Sequence, residues 1–401
     1  MSGEEHRLVE DVRQAAQDSL VKELGESARL GQNCFEAPIR VRGVVLKCTL
    51  APTVRGISNV VVKAPHEWLG APDEQVSWFR RYNPDIDVIH SVQDRLKQEV
   101  ASLRFIDLGG IQARAPRLIA ADLQRNVVVM EDLGEYDSLF EPLQRTDSDA
   151  AAQAMLSFTR GMARLHSSSA GKEELFACCV DGVVTRCSPV SPFEKGVQQC
   201  SEFARTAGLN VPKSVDEAAA SVLEYFGGSE DCMIFSPGDV GPGNQFILDE
   251  GIAVFDFEYA CYRHLAVELA NITLSFPMAW TASELPAGLV DELTETYFAH
   301  AGEFERLPAQ ERRRLREFGE VWWTFASIGA DLGNALREDY QWGLASCRSR
   351  HLNKLDALAR RGGSSAATHA LSGFAADLHG LLSGLWPGTE PFPGYPAFAG
   401  A

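Results

Sequence analysis

No stretch of the 401 residues is apolar for long enough to cross a bilayer as a helix, which takes about 20 consecutive residues. The N-terminal segment MSGEEHRLVEDVRQAAQDSL is acidic and amphipathic and lacks the apolar run of a secretory leader. Cysteine is sparse and unpatterned: nine residues with no CxxC, and a single CxxH (Cys261 to His264) with no second ligand pair at zinc spacing. A disulfide framework and a zinc site are not expected, and reduced thiols in a cytoplasm fit the composition. Positive charge is in deficit, 37 Lys and Arg against 55 Asp and Glu, a net charge of −18. Such a field repels phosphate backbones and anionic lipid, so neither nucleic acid nor membrane is an expected partner. A cationic small molecule is compatible with it, and so is a surface charged only for solubility. No internal repeat is visible.

What is present reads as two parts. Apolar residues make up 45% of the chain, enough for a real core, and the length favours two lobes over one domain. Residues 1–30 carry Leu8, Val9, Val12, Ala15, Ala16 and Leu20 at helical spacing. From Phe35 to Ala64 the texture is that of three antiparallel strands, punctuated by Arg42-Gly43 and by Pro52 to Ser58. Residues 66–87 read as an irregular insertion. Ser91 to Leu108 reads as a helix with Ser91 as its N-cap, and two strands follow at 116–122 and 126–134. Beyond Gly134 helical periodicity dominates to about Leu382, ahead of a Pro/Gly-rich tail. The exception is a β-rich island, MIFSPGDVGPGNQFILDEGIAVFDFE, at 233–258.

That island carries the strongest chemical signal. Asp239-x4-Asn244 precedes a short strand pair that leads into Asp256-Phe257-Glu258. Phosphoryl transfer needs a carboxylate to position or deprotonate the acceptor hydroxyl and hard oxygen ligands for Mg²⁺. A hairpin fixes the separation of such groups, as catalysis by positioning requires. Asp239 is read as the base, and Asn244 and Asp256 as the metal ligands.

These segments resemble the H-G-D-x-x-x-x-N and D-F-E/D-x-G motifs of the aminoglycoside phosphotransferases and choline-kinase-like enzymes, which share the protein-kinase fold. The resemblance runs from about Val60 to Phe276, and other segments fall in the family's order. Lys63, at the end of the strand 59–62, resembles the lysine that holds the nucleotide's α/β-phosphates, and Glu99 the helix glutamate that pairs with it. Met130-Glu131-Asp132-Leu133-Gly134 resembles the interlobe hinge, where the Glu131 carbonyl and Leu133 amide would bond adenine. Gly43 is the phosphate-loop candidate, since no GxGxxG precedes Lys63. MARLHSSSA resembles a family helix end, with His166 read as a packed or capping residue. Glu268 is read as a brace for the catalytic loop.

The resemblance implies an α+β, protein-kinase-like fold. A small β-rich nucleotide lobe would span residues 1–133, and a larger helical lobe with the catalytic loop, metal site and acceptor site residues 134–401. It implies an enzyme that uses ATP and Mg²⁺ to phosphorylate a hydroxyl of a small acceptor, cationic if an aminoglycoside (antibiotic resistance or biosynthesis). Choline, another amino alcohol or a sugar are alternatives. Glu258, Asp331, Glu338 and Asp339 are the acceptor-binding candidates. Pro237 stands where the family has a bracing histidine two residues before the base, which motivates a second reading, a nucleotide-binding pseudokinase that regulates a partner. No A-P-E segment follows the DFE, which disfavours a protein kinase.

Overall fold

A computed structural model describes residues 3–31, 35–36, 43–65, 91–228, 230–248, 251–279, 281, 285–335 and 345–388. The expected insertion at 66–87 and the acceptor candidates Glu338 and Asp339 lie outside the described residues.

The N-terminal part is one antiparallel sheet held between two helices. Helix α1 (Gly3–Leu24) is followed by β1 (Arg29–Leu30), β2 (Phe35–Glu36), β3 (Gly43–Val54), β4 (Ile57–Pro65), helix α2 (Val92–Gly109), β5 (Leu118–Asp122) and β6 (Val127–Glu131). The order across the sheet is β1-β3-β4-β6-β5, with β2 also pairing β3. Strands β3 and β4 turn back on each other through Arg55 and Gly56, both at positive φ (49° and 80°), the backbone that suits a tight hairpin. Along β4 the residues alternate between faces. Val60 and Val62 are buried in a cluster with Val9, Val12, Ala16 and Leu20 of α1, while Val61 packs on the opposite side, against the cluster that holds Leu96, Val100 and Leu103 of α2. Sequence periodicity anticipates this sandwich, except that α1 stops at Leu24 and Arg29–Leu30 join the sheet.

Helix α2 starts where its chemistry directs. The Ser91 side chain accepts from the Asp94 amide and the Asp94 carboxylate caps back, a reciprocal box that satisfies two orphan donors. Gly110 closes the other end in the left-handed region (φ 60°).

The C-terminal part is helical: α3 (Ser148–Ser169), α4 (Val190–Thr206), α5 (Lys213–Gly228), α6 (Leu265–Ala270), α7 (Leu289–His300), α8 (Ala309–Ala335), α9 (Ala345–Arg361) and α10 (Ala366–Leu385), with shorter helical turns between them. The predicted β island comprises three strands, β7 (Met233–Ser236) and the hairpin β8 (Gln245–Leu248) and β9 (Gly251–Val254). A fourth strand, β10 (Cys261–His264), pairs antiparallel with β7. The sequence reading runs helix from this point; the side chains of Cys261, Tyr262, Arg263 and His264 are all buried, and it is the ladder to β7 that fixes them as strand.

The two parts are joined along a defined seam. After β6 the chain runs beside the hairpin, the Leu139 amide donating to the Gln245 carbonyl (3.0 Å) and the Ile247 amide to the Asp137 carbonyl (3.0 Å). The Gln98 amide group of α2 reaches across to the Val184 carbonyl (2.9 Å) and to the Ala260 carbonyl. No helix among the described residues is long and apolar enough to cross a membrane.

Candidate active site

Four of the expected site residues meet, directly or through one backbone step, where the sheet faces the hairpin. Lys63 sits near the end of β4, in register with Val128 of β6 and Val45 of β3. Its ammonium lies 3.1 Å from Glu99 Oε2 on α2 and 3.0 Å from Glu258 Oε1, and it also pairs with Asp256 Oδ1. Glu258 Oε2 in turn bonds Arg95 Nη1 at 3.1 Å. Arg95 lies one helical turn before Glu99, so both reach the same spot from one face of α2.

Three carboxylates thus face two cations in a largely dry site. Burial works against the Lys63 ammonium, but Asp256, Glu258 and Glu99 outweigh it and hold its pKa well above the ordinary lysine value. Burial raises the Glu99 carboxyl to about 7 against the pull of Lys63, with Asp256 and Glu258 adding repulsion. The second Glu99 oxygen, Oε1, is buried without a hydrogen-bond partner. The cluster as it stands therefore carries more negative charge than its cations offset, and additional positive charge would stabilise it.

Beside the cluster lies the loop that holds Asp239. Gly241 N donates to Asp239 Oδ1 (3.3 Å) and Asn244 Nδ2 to the Asp239 main-chain carbonyl (3.1 Å), so the side chain of one candidate ties down the backbone of the other. Asn244 immediately precedes β8, and its carbonyl accepts from the Phe255 amide (3.2 Å), which sets the backbone of Asp256 close to it. Asp256 has φ 68°, a left-handed conformation that costs a non-glycine residue of order 1 kcal/mol and is met at functional sites. Its side chain is 37% exposed, whereas that of Glu258 is 8% exposed.

Pro237, in place of a bracing histidine, leaves the loop well supported. Ser236 Oγ donates to Glu268 Oε1 (2.6 Å) and accepts from Gly238 N (3.0 Å). The buried Arg263 donates to the Gly238 carbonyl (3.3 Å) and the Tyr259 carbonyl (3.5 Å). Gly238 has φ 90°, and a Cβ there would stand 2.0 Å from the Tyr259 oxygen, so only glycine fits. Glu268 occupies the bracing position expected of it.

Other expectations fall differently. Gly43 opens β3 opposite Pro65 instead of occupying a hairpin turn, and a Cβ on it would come within 2.6 Å of the Ala64 carbonyl oxygen; the tight pairing, not a turn, asks for glycine. Met130 is a buried residue of β6. The Glu131 carboxylate is taken up by Arg114 (2.6 Å) and Arg117 (3.1 Å), and its amide donates to the Arg117 carbonyl (2.9 Å). Leu133 follows in the segment that leaves the sheet. Glu258, expected at an acceptor, instead spends both oxygens on Lys63 and Arg95. Asp331 lies on α8, remote in sequence from these elements. His166 is fully buried, with Nδ1 2.7 Å from the Tyr297 hydroxyl, as expected of a packed histidine; burial drops its pKa to about 3.

Sequence reasoning missed Arg95 and an aromatic group at the hairpin. Phe246 and Phe255 are 4.6 Å apart between ring centroids, and the 52% exposed Tyr136 lies 6.0 Å from Phe246. The signal was position: Phe246 lies two residues after Asn244 and Phe255 immediately before Asp256.

As to metal, among the described residues no group of three or more His, Cys, Asp or Glu is arranged to hold an ion. The donor set fits magnesium on other grounds. That ion takes one or two protein oxygens and completes its shell with phosphate and water, and Asn244 and Asp256, on segments joined by the Phe255–Asn244 backbone hydrogen bond, supply an amide and a carboxylate.

No protein-family model matches the chain, and no curated protein matches it. Solved structures do. A choline/ethanolamine kinase family protein from Mesorhizobium loti aligns over 90% of this chain and 99% of its own at 12% identity and a TM-score of 0.50. A macrolide 2′-phosphotransferase from Brachybacterium faecium aligns over 82% and 99% at 16% identity and a TM-score of 0.43. An ADP-bound aminoglycoside phosphotransferase aligns over 83% and 95% at 11% identity and 0.45. The chain has the two-lobe, kinase-like α+β fold of that choline/ethanolamine kinase family structure.

Proposed function

We propose that the chain is a small-molecule O-phosphotransferase that moves the γ-phosphate of ATP to a hydroxyl. The observation that carries this reading is the meeting of Lys63 with Glu99, Asp256 and Glu258 beside the Asp239–Asn244 loop. Residues 1–133 serve as the nucleotide lobe and residues 134–401 as the lobe of the loop, metal site and acceptor site. Lys63 binds phosphate oxygens, and Glu99 holds Lys63 in place. Phe246, Phe255 and Tyr136 offer planar faces for the base, and Met130, Glu131 and Leu133 are the hinge candidates for its edge. Gly43 stands at the sheet end nearest the phosphates.

Asn244 and Asp256 would hold magnesium, which would supply positive charge to offset that of the phosphates. Since Asp256 already pairs with Lys63, nucleotide binding exchanges that contact for others. Asp239 accepts the acceptor's hydroxyl proton as the new O–P bond forms and the bond to the departing ADP oxygen breaks. The Gly241 amide fixes the carboxylate's orientation, and Ser236, Glu268 and Arg263 support the loop beneath it. That support weighs against a pseudokinase, because the brace survives the loss of the family histidine.

The negative net charge is compatible with a cationic acceptor, an aminoglycoside or an amino alcohol such as choline, with Asp331, Glu338 and Asp339 as candidate contacts. A coupled ADP-release screen over aminoglycosides, choline, sugars and amino alcohols tests the reading. With the acceptor found, Asp239→Ala should abolish turnover and leave Mg·nucleotide binding by calorimetry largely intact. Undiminished turnover would remove Asp239 from the mechanism.

A further inference from the structure

Behind the loop that holds Asp239 lies a pair of cysteines 74 positions apart in the chain. Cys187 precedes α4, and its backbone runs alongside β10: the Tyr262 amide donates to the Thr185 carbonyl (2.8 Å) and the Cys187 amide to the Tyr262 carbonyl (2.9 Å). This places Cys187 and Cys261 on neighbouring extended segments with their sulfurs 2.7 Å apart. Both side chains are buried and both are thiols. The other adjacent pair, Cys178 and Cys179, are chain neighbours, one exposed and one buried, without this arrangement.

A second observation distinguishes the two sulfurs. The Arg263 Nε–H donates to Cys261 Sγ at 3.3 Å. A guanidinium beside a thiol favours the thiolate, which is the form that attacks an electrophile. Cys261 is thereby marked as the attacking sulfur and Cys187 as the one that resolves. The same Arg263 holds the Gly238 carbonyl, one residue before Asp239.

We propose that Cys187 and Cys261 form a reversible disulfide on exposure to a small peroxide. The Cys261 thiolate attacks one peroxide oxygen, the O–O bond breaks, and the departing hydroxide leaves as water after taking a proton, so that Cys261 becomes a sulfenic acid. The Cys187 sulfur then attacks the Cys261 sulfur, the S–O bond breaks, and a second water leaves with the Cys187 proton. In sum two thiols and one hydrogen peroxide give one disulfide and two waters, the peroxide taking up both electrons. Reduction by a dithiol reverses the bond. The inference is independent of the phosphotransferase reading.

The test uses the full chain in its folded state. The protein is treated with hydrogen peroxide, quenched with catalase, denatured in an alkylating reagent and mapped by peptide mass spectrometry, with exposed Cys178 as the internal control for oxidant reaching the protein. The expected result is a Cys187–Cys261 linked peptide that is absent without peroxide, absent after dithiothreitol, and retained in Cys178→Ser. In Cys187→Ala, Cys261 should instead be trapped by a sulfenic-acid reagent, a readout that needs no disulfide. Oxidation of Cys178 with Cys187 and Cys261 both still alkylated as thiols would overturn the proposal, and so would linkage of either to a different cysteine.

Discussion

Replacing Glu258 by Gln removes one charge from the Lys63 cluster and barely changes volume. Glu258 links Lys63 (3.0 Å) to Arg95 (3.1 Å), with side-chain exposures of 15% for Lys63, 8% for Glu258 and 6% for Arg95. Removing one partner of a buried ion pair typically costs about 3–5 kcal/mol, because the other charge stays buried without it. Lys63 keeps Glu99 and Asp256, so the lower end, about 3 kcal/mol, is expected. Urea unfolding followed by fluorescence reads this as a lower midpoint at unchanged slope. The double variant Arg95→Met/Glu258→Met should recover much of the loss, since two apolar residues replace a buried pair at little net cost. Kinetically, Glu258→Gln should raise KM for nucleotide and leave KM for acceptor unchanged, because its contacts lie on the Lys63 side. A variant as stable as the parent, with KM raised for acceptor alone, would refute this reasoning and return Glu258 to the acceptor site.

Three further outcomes follow from single contacts. Gly238→Ala should cost about 3 kcal/mol or more in the same unfolding assay, because its Cβ meets the Tyr259 oxygen and its φ is 90°; a neutral result would mean that the loop shifts freely. Phe246→Ala should weaken binding of ADP, followed by calorimetry, by about 1 kcal/mol or more through a lost aromatic face, with equal affinity showing that the base sits elsewhere. Stability should also fall in acid through two buried histidines, His166 held at about 3 and His264 at about 4, both by burial. Their folded-state pKa values lie below the unfolded value, so this stability is full above pH ~6.5 and is lost as pH falls toward those values. In His264→Asn, which can still accept the Ala266 amide, the loss between about pH 6 and 4 should be shallower by up to about 1.4 kcal/mol per pH unit; an unchanged slope would mean that His264 is not buried neutral.

Local physics wrote much of this protein into its sequence. The Ser91–Asp94 box sets where α2 begins, alternation along β4 sets which valines face α1, and the spacing Asp239-x4-Asn244 followed by Asp256 marks the hairpin chemistry. Each rests on residues a few positions apart, where periodicity and turn geometry act directly. Tertiary structure decided what depends on distant partners. Cys261–His264 became strand because β7 lay alongside, Glu258 turned to Lys63 and Arg95, and Cys187 came to face Cys261. Buried charges and thiols take whichever partner the packed chain brings within a few ångströms, since desolvation makes an uncompensated neighbourhood costly. Partners as far apart in sequence as Lys63 and Asp256 leave no local periodicity by which to find each other before the chain has folded.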